Sequence, residues 1–339
     1  MMTGHVVLPT SGPARLLTDA RTLIEPVHRA AVDELGPALR RVAGYHIGWW
    51  DADGRPSPPG GKALRPALTL ACARAFADGP PAPDVIAAAT AVELIHDFSL
   101  LHDDVMDGDE TRRHRPAAWA RFGTTAAILT GDVLVGLALR LVPPSLAGVL
   151  ADVLVDLCEG QSADVAAETA ASADVEQCLA TAARKTGALL GAACRLGALA
   201  AGADPAAADH CRWFGVHLGV AFQLVDDILG IWGDPERTGK PAHSDIRARR
   251  RTLPVVAALA ADTPAGRLLG RIYLSDRAAD ETVQRIVALV AEAGGRAWAE
   301  AEADRRVRLA FGCLDRADPR PAAALDLRGL ARLVTSRDR

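Results

Sequence analysis

Two stretches decide what this chain can fold into: VIAAATAVELIHDFSLLHDDVMD (85–107) and AAADHCRWFGVHLGVAFQLVDDILGIW (206–232). Each is apolar around most of a helix circumference, the pattern of a helix buried in the middle of a bundle. Yet each carries an Asp-Asp pair within apolar sequence, Asp103-Asp104 and Asp226-Asp227. Burying carboxylates without compensation is very costly. The two runs therefore predict an all-helical core and something cationic held against it.

The rest of the chain agrees with an all-α fold. Ala- and Leu-rich segments with helical spacing alternate with Pro, Gly and Asp punctuation, period-2 runs are scarce, and no sheet is expected. Asp84 is expected to cap the first long helix, and Asp204-Pro205 supplies a cap and first-turn proline for the second, which Gly233 and Pro235 stop. The loops 48–66 and 232–254 combine Lys or Arg with Gly and Pro, which marks binding loops and not linkers. The expectation is a flexible N-terminal segment, 1–19, followed by one domain, 20–339, built as a single helical bundle around a central cavity.

Composition narrows the partners. A formal net charge of -4 over 339 residues gives no reason to expect nucleic acid or a strongly anionic membrane surface. Six cysteines without a CxxC pair, most of them in Ala- and Leu-rich helical pattern, read as reduced, buried thiols, and a cytoplasmic location follows. The N-terminus lacks the pattern of a signal peptide, and no window reads as a membrane span, so no integral membrane association is expected.

Asp103 and Asp107 stand four apart and share one helix face, with Asp104 beside them. Three carboxylates so close repel unless a multivalent cation sits between them, and oxygen-only ligands imply Mg²⁺. Magnesium fills its other positions with water and substrate phosphates, so a phosphorylated ligand is expected. If the two long helices face each other, their acids form opposed walls for a polyphosphate. Lys62, Arg65, Arg112, Arg113, Lys185, Lys240 and the 249–251 arginines lie in loops or at helix ends, which suggests a second anionic site clamped directly by cations.

The segments GGKALRP, ELIHDFSLLHDDVMDGDETRR, GDVLVGLAL, GQSADV, KTGALLGAA, GVAFQLVDDILGIWGDPERTGKPAHSDI and RRTLPVV occur in an order and spacing that resembles the trans-type isoprenyl diphosphate synthases, the polyprenyl synthetase family, over roughly residues 20 to 335. The resemblance implies an all-α isoprenoid-synthase-type bundle, usually a homodimer, that uses about three Mg²⁺ ions to join isopentenyl diphosphate to an allylic diphosphate.

In that resemblance Asp103 and Asp107 match the metal ligands of the first motif, with Asp104 supporting them, and Asp226 with Asp227 matches the second. Arg112, Lys185, Thr186, Gln223 and Lys240 align with the allylic diphosphate site, and Lys62, Arg65, His96 and Arg113 with the isopentenyl diphosphate site. Gln161 and Asp164 match a supporting GQxxD element. Two departures stand out: Gly230 replaces the last acid of the second motif, which puts a third metal site in doubt, and Arg250 stands where a lysine is common.

Phe98 lies five residues before Asp103, about 7.5 Å along the helix at roughly 1.5 Å per residue. An aromatic there, beside Ser99, resembles the floor of short-chain enzymes. Val92, Leu94 and Val133 are candidates for a deeper tunnel. The expected product is geranylgeranyl diphosphate, with farnesyl diphosphate as the alternative. A terpene cyclase on the same fold is the other alternative, encouraged by Gly230 and opposed by the Lys62, Arg65, His96 and Arg113 set.

Overall fold

Proline and glycine punctuation sets where the helices begin and end in the computed structural model, which describes residues 12–57, 61–169, 174–234, 243–273 and 280–335. In chain order the helices are α1 (Pro13–Asp33), α2 (Pro37–Ile47), α3 (Leu64–Arg74), α4 (Pro83–Met106), α5 (Ala118–Phe122), α6 (Thr124–Leu141), α7 (Pro144–Thr169) and α8 (Val175–Ala182). After one π-turn (Ala183–Gly187) come α9 (Ala188–Ala200), α10 (Pro205–Trp232), α11 (Ser244–Arg247), α12 (Leu253–Ala260), α13 (Pro264–Tyr273), α14 (Asp280–Glu292), α15 (Gly295–Arg316) and α16 (Pro321–Thr335). Proline occupies the first turn of α1, α2, α4 and α12, where its missing N–H costs no hydrogen bond.

Three expectations need correction. The segment expected to be flexible up to residue 19 is helical from Pro13, because Leu16, Ala20 and Ile24 form a buried stripe that ties the first turns of α1 down. Asp84 does not cap α4: the cap position is Ala82, and Asp84 sits in the first turn, where its charge still favours the positive end of the helix. Asp204 does cap α10, its Oδ1 accepting from the Ala206 and Ala207 amides.

The third concerns membranes. By length and composition α4, α6 and α10 are each apolar enough to cross one. The sequence reading missed this because it demanded uninterrupted apolar runs, whereas a span tolerates a few polar residues. In α4 and α10 most of that apolar surface is buried inside the protein, against only 33% in α6.

The chain divides into two compact units, one of residues 1–151, 192–211 and 314–330, the other of 152–191, 212–313 and 331–339. In the first, α4 packs most extensively along α6, and the core is built from Leu68, Val92, Leu94, Ile95, Leu101 and Leu134. Each such aliphatic side chain contributes about 1.5–3 kcal/mol by leaving water. In the second, Val220, Leu224, Val225 and Ile228 of α10 pack with Leu253, Ala299 and Ala303, while Ile231 joins a cluster with Ile246, Val255 and Leu289.

Two small β elements were not expected. Thr111–Arg112 pairs antiparallel with Arg115–Pro116, and Trp50 bridges Pro56. All six cysteines are free thiols, four of them buried, with Cys158 exposed.

Helix packing in the first unit depends on glycine at close crossings. A Cβ at Gly197 would lie 2.1 Å from the Thr69 carbonyl oxygen, and backbone on both sides cannot yield. Gly197→Ala is expected to cost about 1–3 kcal/mol in thermal or urea unfolding. Gly136→Ala, in open space on α6, should instead stabilise by up to about 1 kcal/mol.

Candidate active site

The first acid motif closes α4. Asp103 is half-buried and lies in the last turn, Asp107 is exposed and occupies the C-cap, and Gly108 then turns the chain with φ +67°. Asp104 faces the other way, is almost fully buried, and is bound by Arg112, whose Nε donates to Oδ1 at 2.7 Å and Oδ2 at 2.8 Å. Burial raises the Asp104 carboxyl above its ordinary range while the guanidinium opposes it. The local chain folds this way because the hairpin that returns Arg112 to Asp104 turns through Arg113 and His114, both at positive φ. That handedness suits a tight hairpin but disfavours non-glycine residues, so the turn stores strain at a site crowded with charge.

Lys62, Arg65, His96 and Arg113 all belong to this same unit. Arg113 extends over the Gly61 turn, where a Cβ would stand 3.3 Å from its Nη2. Arg65 is half-buried, and burial pulls its pKa down against the opposing pull of Glu93 and Asp97. His96 lies well below the ordinary histidine range, first through burial and then through Arg65 and Arg113, so its ring is neutral and retains one N–H to donate. Ser99 Oγ donates to the His96 carbonyl at 2.9 Å.

The sequence reading missed what stabilises these cations. Glu93, half-buried, and Asp97, buried, stand one turn apart on α4 and line a cleft with Arg21, His28, Trp49 and Arg113. His28 and His46 stand 3.6 and 3.8 Å from the Asp97 carboxylate, and burial lowers both imidazole pKa values. Acids four apart within an otherwise apolar helix were the available signal.

The second unit carries the other half of the predicted set. Lys185 and Thr186 sit in the π-turn, a form of helix that often marks function. Lys185 Nζ binds Asp164 at 2.7 Å, which gives the GQxxD acid its partner, and Gln161 is buried nearby in α7. Thr186 Oγ1 donates to Gln223 Oε1 at 2.9 Å, Gln223 Nε2 donates to Asp227 Oδ1 at 2.8 Å, and the Leu253 amide donates to Asp227 Oδ2 at 2.9 Å. Both Asp227 oxygens thus accept from the protein, and burial pushes its pKa up to about 7. Asp227 was expected as a ligand, but it is placed as an internal acceptor, while Asp226 beside it is half-buried. Arg250 is exposed, and Tyr273 donates to its carbonyl at 2.7 Å. Lys240 lies outside the described residues.

Gly230 is not an empty place in the motif. A Cβ built on it would stand 1.9 Å from Asp245 Oδ2, so the Asp245 carboxylate fills the position one turn beyond Asp226. Sequence reasoning did not single out Asp245.

Among the described residues no three acidic, histidine or cysteine side chains form a ready-made metal cage. The donors still fit magnesium. Asp103 and Asp107 are hard oxygen groups one turn apart, and Mg²⁺ commonly takes one or two carboxylates and completes its shell with water and phosphate.

Comparison with known proteins gives these geometries a context. Residues 56–290 match the polyprenyl synthetase family model. A (2E,6E)-farnesyl diphosphate synthase of Mycobacterium bovis is 41% identical over 330 residues, covering 94% of this chain and 91% of that one. A geranylgeranyl diphosphate synthase of Mycobacterium tuberculosis is 42% identical over 338 residues, covering 95% and 93%. The crystal structure of a polyprenyl synthetase from Streptomyces coelicolor A3(2) superposes with a TM-score of 0.89 at 45% identity, covering 94% and 98%. The chain belongs to the polyprenyl synthetase family. It has the all-α isoprenoid synthase fold and is a prenyltransferase, a short-chain prenyl diphosphate synthase.

Two outcomes follow from this geometry. Gly→Ala inside a helix ordinarily stabilises by up to about 1 kcal/mol; Gly230→Ala should destabilise in thermal melts, because the new methyl collides with Asp245. Burial, with Glu93 adding to it, pushes the Asp97 carboxyl up from 3.8 to about 8. A carboxyl raised on folding stabilises fully at low pH and loses that contribution as pH rises through its folded value. Asp97→Asn should therefore gain stability relative to the parent between pH 4 and 8, and parallel melting curves would count against this assignment.

Proposed function

We propose that this protein is a magnesium-dependent head-to-tail prenyltransferase that condenses isopentenyl diphosphate with a dimethylallyl, geranyl or farnesyl diphosphate and releases pyrophosphate. Its preferred product in this reading is geranylgeranyl diphosphate. The observation that carries the reading is the pairing, within one unit, of an open two-carboxylate turn, Asp103 and Asp107, with the basic set Lys62, Arg65, His96 and Arg113. A cyclase has no need of that second set of Lys, Arg and His side chains.

The roles follow from the chemistry of each group. Asp103, Asp107 and Asp226 are the proposed metal ligands; bound Mg²⁺ would neutralise charge on the departing diphosphate. Arg112 spends Nε and Nη2 on Asp104, which leaves its Nη1 edge to contact the allylic diphosphate. Lys185, Thr186 and Gln223 are assigned to the same diphosphate, together with Lys240. Arg65 and Arg113 hold the diphosphate of isopentenyl diphosphate, and the neutral His96 ring donates a hydrogen bond without adding to the local positive charge. Departure of the allylic diphosphate leaves a cation that the isopentenyl double bond attacks, and loss of a proton gives a chain five carbons longer.

A farnesyl product is the second reading, favoured by the similarity to the M. bovis enzyme. The protein is further proposed to act in the cytoplasm as a homodimer. Supporting the dimer, α6 leaves Ile128 and Leu129 uncovered in a helix apolar over most of its length.

The test is incubation with Mg²⁺, labelled isopentenyl diphosphate and each allylic primer, with chromatography before and after phosphatase treatment. Label in a C15 or C20 diphosphate is expected, and Asp103→Ala and Asp226→Ala should each abolish it while circular dichroism stays unchanged. A phosphatase-independent cyclic product without isopentenyl label would instead establish a cyclase.

A further inference from the structure

Immediately before the acid motif, the His102 side chain of α4 packs so closely on α6 that only glycine fits beneath it. A Cβ at Gly131 would lie 2.4 Å from both Cδ2 and Nε2 of His102, and 3.3 Å from Cδ2 of Phe98. The His102 ring fills the notch that Gly131 leaves. Its Nε2 lies 3.1 Å from the Ile128 carbonyl oxygen, a contact in which the ring N–H donates, and 3.6 Å from the Asp132 carboxylate. Ring position and tilt are therefore fixed from the α6 side. Phe98, one turn earlier on α4, meets this ring edge-on with centroids 4.7 Å apart and planes at 61°.

Phe98 itself is half-buried and has no polar handle, so nothing but packing can hold its rotamer. Its neighbours include the His102 ring and the bare Gly131 backbone. Ser99, the neighbouring short side chain, turns its hydroxyl back onto the His96 carbonyl and supplies no wall of its own. The His102 ring is thus one wall against which Phe98 is held.

We propose that His102, seated in the Gly131 notch, is a positioning residue that sets product chain length by holding Phe98 beneath the allylic hydrocarbon tail. The inference rests on the synthase reading above and deepens it. With the imidazole removed, the Phe98 ring can drop into the vacated notch, and the pocket deepens by the space it leaves.

The experiment measures the ratio of longer to shorter prenyl diphosphates made by the full-length protein from labelled isopentenyl diphosphate and dimethylallyl or geranyl diphosphate. His102→Ala is expected to raise that ratio roughly two- to tenfold, the span that loss of one aromatic contact converts to. Phe98→Ala should raise it too, and the double variant should add little further, because both changes remove the same floor. His102→Phe keeps a ring against Phe98 and should retain the parental ratio, while Gly131→Ala evicts the imidazole and should change it. A merely structural role for His102 would lower turnover and leave the ratio alone. An unchanged ratio in His102→Ala and Gly131→Ala, whichever of them turn over, overturns the inference. Failure of the parent protein to incorporate any label overturns the synthase reading, and the inference with it.

Discussion

A carboxylate inside a helical core must be answered by another group, and that demand organises this protein. Asp104 is answered by the Arg112 guanidinium and Asp227 by the Gln223 amide and the Leu253 N–H, while Asp164, half-exposed on α7, pairs with Lys185. Glu93 and Asp97 meet Arg65 and Arg113 across a buried cleft, each side offsetting charge that the other could not carry alone. What this sorting leaves is informative. Asp103 and Asp107 project from an exposed helix end, and Asp226 lies half-open next to an Asp that is fully engaged. Within each Asp-Asp pair one acid is buried and engaged by the fold, and the other is the more exposed of the two.

The cations obey the same logic in reverse. A cluster of guanidinium groups is unstable without anions, and a protein that must release its diphosphates needs an internal substitute. Glu93 and Asp97, on the helix that carries the acid motif, face these cations: burial raises both carboxyls above their ordinary range, and the nearby guanidinium groups oppose the rise. Burial lowers the pKa of His28 and His46 beside Asp97, so these rings add no positive charge there.

Much of this was legible in the residues. The circumference of hydrophobicity in α4 and α10 fixed both as buried helices, and the Asp204 cap fell where it was expected. The remainder depended on contacts between distant segments. Asp227 reads as an equal partner of Asp226 until the Leu253 amide, from another helix, is seen to occupy it. The Arg113-His114 turn uses positive φ without glycine or asparagine, so no turn signature announces it. The π-turn at Lys185 is likewise invisible to a pattern with a period of 3.6 residues.

Gly230 shows how far a linear motif can diverge from the site it describes. The space opposite it is taken by a carboxylate that enters from the following segment, so the local charge survives although the motif has lost a letter. In evolutionary terms the two positions are coupled: while Asp245 persists position 230 is held to glycine, and selection should act on the pair and not on either residue. Counting acids along the chain would rank this sequence as degenerate, whereas counting them in space would not.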